Sequence, residues 1–564
     1  MTAEDIATKD ESSLESPPRF LSITGLFAGP ILAAGVYFLL LWQAPDLAHA
    51  PRATAAIAVL MAVWWMTEAI PLEATSLLPL VLLPMLGVYW DDIRVGDRVS
   101  VKKTRLVGKV VAINLEKEEP EAEIEFATPT NREKSTEKIA GLSKESAIQK
   151  AAAPFADKAI FLYLGGFILA LAVEKWGLHR RLALLTLLGA GTRPAWLIGG
   201  FMLATAGISL WISNTATAVM MLPIGFSVVH LAEQRMKGGL PKDPANFATG
   251  LLLGIAYAAS LGGMGTLIGT PPNVFFRGFL EEKGIEVGFG QWMLFAIPVV
   301  VALLLFCWFL LTKILFPVSL KEIPGGRELI RSELARLGPV SRGEWTVLIV
   351  FVVTALAWIS RDSLIQWKWL ATNLPAISSI DDSVIAMTAA VLLFLLPVDF
   401  SRGIFAMDWK STSRLPWGVL LLFGGGLSLS KAMEETKLAD WIGANVSQLG
   451  VLPTPILIIL VVAGVVFFSE LASNLATATA LLPVLYQVAV GLKLDPLLLC
   501  VPAILAASCG FMLPVATPPN AIVFGTGRIG IRQMMRAGLW LDLAGIGLIM
   551  LATYAIGSVL GMKH

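Results

Sequence analysis

The sequence predicts an all-α polytopic membrane protein with about eleven transmembrane helices and two re-entrant hairpins in an inverted-topology repeat, plus a small β-rich extramembrane insertion. Hydrophobic residues make up 56% of the chain and charged residues 15%, and the mean hydropathy is +0.72, which excludes an ordinary soluble protein of this length. Apolar runs long enough to cross about 30 Å of hydrocarbon recur along the chain. A short polar motif also occurs twice inside this apolar sequence.

The doubled motif is the basis for the predicted repeat. Ser213–Ala218 reads SNTATA, and Ser473–Ala478, 260 residues later, reads SNLATA. The same offset aligns Gly165-Gly166 with Gly425-Gly426, Glu174 with Glu434, and Leu178 with Leu438. Each repeat is interpreted as five spans and one hairpin, and an odd number of spans turns the second copy upside down.

This interpretation divides the chain into consecutive segments and gives it an orientation. The segments are a cytoplasmic tail (1–20), a first span outside the repeat (21–50), the first repeat (51–312), a soluble insertion within it (91–158), a cytoplasmic linker (313–344) and the second repeat (345–564). Lys and Arg gather in alternate connections, so the positive-inside rule predicts that the N-terminus is inside and the C-terminus outside. The protein is expected to be integral to the cytoplasmic (inner) membrane. The tail lacks the pattern of a cleavable signal peptide, so the first span is expected to be retained.

The insertion at 91–158 is the one strongly charged part of the chain. It holds 26 of the 85 charged residues, 13 basic and 13 acidic. Alternating, β-branched sequence predicts strands over Val95–Val101, Val107–Ile113 and Ala122–Phe126, and Ser143–Ala151 is predicted to be helical. By the span count the insertion lies on the outer face, where it is expected to be solvated.

Each copy of the motif is predicted to form the tip of a hairpin. Trp196–Ile212 and Thr217–Val229 are the arms of the first, and Ile456–Val490 forms the second, which enters from the opposite face. Irregular backbone at membrane depth is tolerated only where protein or a cavity surrounds it. Downstream, the Gly- and Pro-rich stretches around Gly269–Asn273 and Ala516–Asn520 are predicted to break two spans near their middles.

The residue types at these breaks favour an anion together with a cation. Helix N-termini present unpaired N–H groups and partial positive charge, which suit a carboxylate. Each copy of the motif would provide one such anion-binding region, called a pole here, and two poles fit a dianion better than a monoanion. Hydroxyl, amide and carbonyl oxygens suit a hard cation, and Ser209 and Ser469 lie four residues before the motif serines. Sodium is therefore the inferred coupling ion.

In these motifs the chain resembles the divalent anion:sodium symporter family, which includes sodium-coupled dicarboxylate and citrate transporters. The resemblance implies homodimers, an elevator motion, Na⁺ as coupling ion and no organic cofactor. The substrate-facing residues it implies are Ser213, Asn214, Thr215, Thr270, Pro271, Ser473, Asn474, Thr517 and Pro518. The sodium ligands it implies are Ser209, Ser213, Asn214 and Gly269 at one site, and Ser469, Ala472, Asn474 and Ala516 at the other.

The expected function is sodium-coupled symport of C4-dicarboxylates such as succinate, malate or fumarate. Leu475 stands where the family often has Thr, so citrate, sulfate or sodium-independent exchange stays open as an alternative. An intramembrane enzyme is not expected, because the four His residues are scattered and the three Cys residues show no metal or disulfide spacing. A receptor that binds but does not move its ligand is the other class considered. The expected partners are a small anion, sodium and membrane lipid, with no nucleic acid.

Two further features are given structural alternatives. Glu470 lies beside the second motif and could tune ion coupling, but its counterpart in the first repeat is Leu210, so it is expected to cap backbone N–H groups. The glycines at Gly262–Gly265 serve either a sodium site or the close approach of two helices.

Overall fold

The computed structural model describes residues 19–89, 98–101, 107–114, 121–127, 132–138, 142–144, 146–235, 242–319, 322–366, 380–447 and 453–563. Among them, nine helical segments are long and apolar enough to cross a membrane, and five shorter apolar helices accompany these. The prediction of a polytopic helical membrane protein is thereby confirmed. The count of about eleven spans stays a prediction.

The N-terminal region consists of four helices that precede the insertion. They are α1 (Arg19–Gln43), α2 (His49–Thr67), α3 (Leu72–Ser76) and α4 (Leu78–Met85). Helix α1 packs on α2 along its length. Large apolar side chains of α1 remain exposed, including Phe20 at 80% and Trp42 at 78%, as expected of a helix that faces lipid.

The first half of the chain continues as eight helices, of which the first lies at the end of the insertion. They are α5 (Ala147–Ala152), α6 (Lys158–Lys175), α7 (Leu178–Ala190), α8 (Pro194–Ser209), α9 (Asn214–Arg235), α10 (Asp243–Met264), α11 (Pro271–Glu282) and α12 (Phe289–Phe309). A π-helical turn, Leu310–Leu315, extends α12. Every residue in the apolar window of α10 is buried, so this helix lies at the centre of the molecule.

The second half begins after the short linker helix α13 (Gly326–Arg336). Its helices are α14 (Arg342–Gln366), α15 (Asp382–Leu395), α16 (Trp417–Glu435), α17 (Leu438–Ser447), α18 (Thr454–Ser469), α19 (Asn474–Gly491), α20 (Leu497–Ala507), α21 (Pro518–Gly525) and α22 (Ile531–Ile556).

Helix boundaries in the two halves follow the sequence repeat. Helices α8 and α18 end at Ser209 and Ser469, and α9 and α19 begin at Asn214 and Asn474, in each case 260 residues apart. The predicted breaks downstream are confirmed. Helix α10 ends at Met264 and α11 begins at Pro271, and α20 ends at Ala507 and α21 begins at Pro518. Proline at the first position of α11 and α21 explains these starts, since its missing N–H needs no partner there. The inverted orientation of the halves stays a prediction.

The insertion contains a five-stranded antiparallel sheet in the order β4-β3-β2-β1-β5. Its strands are β1 (Arg98–Val101), β2 (Val107–Asn114), β3 (Glu121–Ala127), β4 (Arg132–Lys138) and β5 (Leu142–Lys144). A two-stranded ribbon, β6 (Pro397–Asp399) with β7 (Ile404–Phe405), lies between α15 and α16. The β-rich character predicted for the insertion is confirmed.

The structure corrects two details of the insertion. Residues 95–97 of the predicted first strand lie outside the described residues. The helix predicted from Ser143 is wrong at its start, because Ser143 belongs to β5, which pairs with β1, and α5 begins at Ala147 behind the N-cap Ser146. Strand β4 was not predicted, since its sequence, REKSTEK, has no apolar alternation.

Candidate functional site

The first hairpin tip is a short break between α8 and α9. Ser209 is fully buried, and its Oγ lies 2.7 Å from Asn214 Oδ1 and 2.7 Å from the Ala259 carbonyl oxygen of α10. A hydroxyl carries one hydrogen, so Ser209 can donate to only one of these acceptors at a time. Three oxygens therefore converge where one hydrogen is available, an arrangement that suits a hard cation.

Two glycines bring the α10–α11 loop against this tip. A Cβ on Gly263 would overlap Asn214 Oδ1 and would lie 3.0 Å from the Gly269 carbonyl oxygen. A Cβ on Gly269 would lie 2.5 Å from the Gly263 carbonyl oxygen and 3.0 Å from that of Leu210. Only glycine allows such an approach. Three of the predicted sodium ligands, Ser209, Asn214 and Gly269, thus lie together.

The fourth predicted ligand of this set, Ser213, has a different local role. Its side chain is exposed, and its Oγ accepts the N–H of Ala216 at 3.3 Å as a cap of α9. In the second tip, Ser473 Oγ accepts the N–H of Ala476 at 3.2 Å in the same way. N-cap serines stabilise a helix start by satisfying one of its free N–H groups. Both motif serines therefore fix where their helices begin.

The second tip has Gly510 at the position that corresponds to Gly263. A Cβ on Gly510 would lie 3.1 Å from Ala516 Cβ and 3.5 Å from Ser469 Oγ. Gly510 lies 247 residues after Gly263, and Ala516 lies 247 residues after Gly269, so the two pairs have equal spacing. Ser469 Oγ donates to the Val466 carbonyl at 3.1 Å. The predicted ligands Ser469 and Ala516 are thus brought together, and Ala472 is buried in the same break.

The amide of Asn474 supports a cation at this second position. Its Oδ1 is buried and has no hydrogen-bond partner among the described residues. A buried amide oxygen without a donor costs free energy unless a cation or another donor satisfies it. An unpartnered amide oxygen is a suitable ligand for a hard cation such as sodium.

The asparagines of the two Thr-Pro-Pro-Asn motifs hold the broken-helix loops in shape. Asn273 Nδ2 donates to the carbonyls of Thr266 at 2.8 Å and Met264 at 3.1 Å. Asn520 Nδ2 donates to the carbonyls of Gly510 and Leu513, both at 3.1 Å. Sequence reasoning assigned these asparagines no role of their own, although their doubled position was the available signal. The Ala259 carbonyl was missed because a backbone oxygen has no sequence signature.

The remaining predicted substrate residues lie at helix starts. Thr270 and Thr517 are the N-cap residues of α11 and α21, with φ of −143° and −142° and exposures of 2% and 3%. Pro271 and Pro518 follow them, half-buried at the first helical position. Thr215 lies half-buried in the first turn of α9, whereas Leu475 in α19 is buried.

Four helix N-termini are therefore contributed by the doubled motifs, those of α9, α11, α19 and α21. Helices α9 and α10 of the first half pack against α21 of the second, and α11 packs against α19 and α20. The helices on either side of the two breaks, α10 with α11 and α20 with α21, therefore contact the opposite half of the chain, including the hairpin helices α9 and α19. Helix N-termini attract anions through free N–H groups and the helix dipole. The arrangement suits a small anion with a charge at each end, accompanied by cations.

Comparison with known proteins gives concordant matches along nearly the whole chain. The family model described as the sodium:sulfate symporter transmembrane region matches residues 25–563. The sodium-dependent dicarboxylate transporter SdcS of Staphylococcus saprophyticus is 39% identical over 545 residues, which cover 96% of this chain and 92% of that protein. SdcS of Staphylococcus aureus strain USA300 is 37% identical over 558 residues, covering 98% and 94%.

A solved structure shares the fold at low sequence identity. MtrF of Neisseria gonorrhoeae, described as one of a class of antimetabolite efflux pumps, matches with a TM-score of 0.53 and 14% identity. The match covers 88% of this chain and 98% of that one.

Proposed function

This chain belongs to the sodium:sulfate symporter family, and from that premise we propose that it couples the uptake of a C4-dicarboxylate to an inward sodium gradient. It is a sodium-coupled dicarboxylate transporter and not an enzyme, in keeping with its 39% identical relative. Succinate, malate and fumarate are the proposed substrates. The observation that carries the proposal is the doubled motif. Each copy, with the Thr-Pro segment downstream of it, is called a half-site: the first lies around Asn214 and the second around Asn474.

Substrate carboxylates bind at the N-termini of the broken and hairpin helices. Ser213, Asn214, Thr215, Thr270 and Pro271 form one pole, and Ser473, Asn474, Thr517 and Pro518 form the other. Hydroxyl and amide donors hold a carboxylate less tightly than a buried Arg would, which allows release. A short dianion places one carboxylate at each pole.

Sodium ions supply the positive charge that the poles lack. The first ion is held by oxygens of Ser209, Asn214 and Gly269, and the Ala259 carbonyl joins this set because it lies 2.7 Å from Ser209 Oγ. The second is held around Ser469, Ala472, Asn474 and Ala516, where the Asn474 oxygen has no other partner in the described structure. Because each ion shares an Asn with the substrate pole, sodium binding prepares the site for the anion.

Transport then requires the two half-sites to become accessible from each face in turn. We propose an elevator-type movement in a homodimer, with the N-terminus inside and the C-terminus outside in the cytoplasmic membrane. The broken and hairpin helices of the two halves contact each other, as α11 contacts α19. These contacts support a movement in which both half-sites travel together as one body relative to the rest of the protein.

A specific alternative follows from the unequal poles. Leu475 occupies the position of Thr215 and places a buried apolar side chain where a hydroxyl could donate. The second pole is therefore less polar, which favours a substrate with a different second group. Citrate, sulfate or sodium-independent exchange of dicarboxylates on the same fold are the second candidates.

Thermal unfolding of the purified protein with a panel of anions tests the proposal. Ligand binding stabilises the folded state by RT ln(1 + [L]/Kd), so the melting temperature rises only for anions that bind. We expect succinate, malate and fumarate to raise it with sodium present and to have little effect in potassium. A larger shift with citrate or sulfate would favour the alternative substrates, and equal shifts in both salts would contradict sodium coupling.

A further inference from the structure

Helix α11 carries charged side chains toward the end that lies away from the binding site. It begins at Pro271, in the first half-site, and ends at Glu282. Arg277 lies in its second half, Glu281 lies at its end, and Lys283 follows it directly. Each of these three side chains forms an ion pair with a different helix that lies outside the two half-sites.

The first pair is buried between α11 and α15. Arg277 Nη1 lies 2.7 Å from Asp382 Oδ2, at the first residue of α15. Arg361 of α14 approaches the same carboxylate at 3.9 Å. Trp358 Nε1, also of α14, donates to the Asp382 carbonyl at 3.0 Å. Helix α14 therefore holds Asp382 in place, and Arg277 attaches α11 to this fixed group.

The other two pairs hold the end of α11. Glu281 pairs with Lys158 at the start of α6, and Lys283 pairs with Glu434 near the end of α16. The side chains of Glu281 and Lys283 are only 14% and 6% exposed, so water and salt screen these contacts in part. By the orientation predicted from the basic connections, these helix ends all lie toward the outer face. Ion pairs thus join α11 to three helices on one side of the membrane.

The first Gly-Gly motif gives α6 one glycine on each of two contacts. A Cβ on Gly165 would overlap the backbone of Ala386 in α15. A Cβ on Gly166 would lie 3.4 Å from Cγ2 of Ile268, in the α10–α11 loop. Gly165 therefore allows α6 to pack closely on α15, and Gly166 faces the first half-site.

The second Gly-Gly motif gives α16 the same division. A Cβ on Gly425 would overlap the Ser76 carbonyl of α3, and a Cβ on Gly426 would overlap the ring of Phe275 in α11. Glycines allow close approach and offer no side chain of their own to interlock. The surfaces that α6 and α16 turn toward α11 and its loop are therefore smooth at these points, so specific attachment depends on polar contacts.

The ion pairs are the strongest polar contacts described at this boundary. Tyr163 of α6 donates its hydroxyl to the Leu267 carbonyl at 3.3 Å, which is long for such a bond. Contacts between ionised groups are roughly twice as strong as those between neutral groups. Nearer the ion pairs, a Cβ on Gly278 would lie 3.1 Å from Ala159 Cβ and 3.8 Å from Leu427 Cδ1. Helix α11 therefore lies directly against α6 and α16 where the charges meet.

We propose that the three ion pairs form a latch, which holds the half-sites in the described position and has to open in each transport cycle. The latch consists of Arg277–Asp382, Glu281–Lys158 and Lys283–Glu434. The proposal rests on the movement proposed above, in which both half-sites travel as one body. Because the partners belong to three helices outside that body, its displacement separates all three pairs, and Coulomb attraction falls with distance. The strength of the latch therefore sets how often the body leaves this position.

Cysteines at the contact between α6 and α11 report whether the latch is closed. In Gly278→Cys the thiol lies against Ala159 and Leu427, so a maleimide reaches it only when α11 leaves α6. In the double variant Gly278→Cys with Ala159→Cys, a disulfide forms only while the helices are together. A change in thiol reactivity alone moves both rates in the same direction. Opening of the latch instead raises the labelling rate and lowers the rate of disulfide formation.

A charge-swap cycle at the Lys158–Glu281 pair tests the latch in these backgrounds. We expect Lys158→Glu and Glu281→Lys each to raise labelling about threefold or more and to slow the disulfide similarly, because like charges then face each other. Combining both substitutions restores an ion pair and should return the rates to within about twofold of the starting values. Lys175→Glu, which reverses the lysine paired with Asp408 at the other end of α6, is the matched control and should change neither rate.

Three results of this cycle would overturn the latch. They are unchanged rates in both single reversals, no recovery in the combined variant, or an equal effect of Lys175→Glu. The purified protein without substrate suffices for these measurements, and the same protein without introduced cysteines gives the background from the buried native cysteines.

Labelled succinate uptake into proteoliposomes tests whether the latch has to open. Oxidation of the variant with Gly278→Cys and Ala159→Cys should stop uptake, and a reductant should restore it. The control joins two paired residues of one ribbon, through Asp399→Cys with Ile404→Cys, and should transport equally in both redox states. Uptake that continues with the α6–α11 disulfide formed would refute the need for opening and the proposed movement. If the wild type transports no succinate, the proposed function fails, while the charge-swap cycle still decides whether the pairs hold α11.

Discussion

Asn214 and Asn474 begin α9 and α19, where each amide can serve both a cation and a carboxylate. We expect Asn214→Ala and Asn474→Ala each to abolish sodium-driven succinate uptake, because each removes an oxygen that sodium needs and a donor that the substrate needs. Uptake into proteoliposomes measures this. The matched control is Asn445→Ala, whose amide donates to the Trp441 carbonyl on the exposed side of α17. Full transport in either motif variant would refute the assignment of the site.

Gly263 tests whether the first cation site depends on close backbone contact. In Gly263→Ala the new Cβ overlaps Asn214 Oδ1, so the asparagine must move away from Ser209. We expect the sodium concentration for half-maximal uptake to rise at least about tenfold, since the loss of one charge-assisted contact costs about 1.5–3 kcal/mol. Gly464→Ala is the control, because its Cβ would meet nothing within 4 Å. Equal sodium dependence in the two variants would contradict the geometry.

The duplicated motifs and the family resemblance located most of the site residues in the sequence, but the backbone oxygen of Ala259 was missed. Ser209, Asn214 and Gly269 were predicted together and lie together around Gly263. The carbonyl of Ala259 could not be predicted, because any residue type provides one. For Glu470 the backbone-capping role was predicted, and its oxygens accept the N–H groups of Met512 and Leu513.

Between elements, a buried ion pair joins α11 to α15. Arg277 Nη1 lies 2.7 Å from Asp382 Oδ2, and the two side chains are 8% and 2% exposed. Removing one partner leaves the other charge buried, so we expect Asp382→Ala to destabilise the protein by about 3–5 kcal/mol. Chemical unfolding in detergent, followed by tryptophan fluorescence, measures the difference.

An exposed pair provides the comparison for this prediction. Arg402 is 78% exposed and lies 3.6 Å from Asp399 in the ribbon between α15 and α16. Exposed pairs contribute about 0–1 kcal/mol, so Arg402→Ala should change stability little. Similar losses in Asp382→Ala and Arg402→Ala would show that the buried pair has no special role in holding α11 against α15.

Element boundaries could be predicted where the sequence carries a physical stop signal. Proline at the start of α11 and α21 and the N-cap serines of α9 and α19 determine those helix starts, and the predicted breaks lie there. Strand β4 escaped prediction because its residues are polar on both faces, so neighbouring strands rather than its own pattern define it. The start of α5 was misjudged because Ser143 and Lys144 pair with β1, a contact that local propensity does not report.

For the whole molecule, the distribution of basic connections predicts its orientation in the membrane. The native cysteines Cys307, Cys500 and Cys509 are buried and should not react with membrane-impermeant maleimides. We expect a cysteine introduced at exposed Lys563 to be labelled from outside intact cells. A cysteine at Arg336, which is 74% exposed in the linker helix α13, should be labelled only after the membrane is opened. The reverse pattern would invert the assigned topology.

The central claim is that sodium drives dicarboxylate uptake through the two matched half-sites, and labelled succinate uptake into proteoliposomes tests it most directly. With a sodium gradient directed inward, we predict that succinate accumulates above its external concentration, and that collapsing the gradient with a sodium ionophore abolishes accumulation. Equal uptake with sodium, with potassium and without a gradient would contradict the claim.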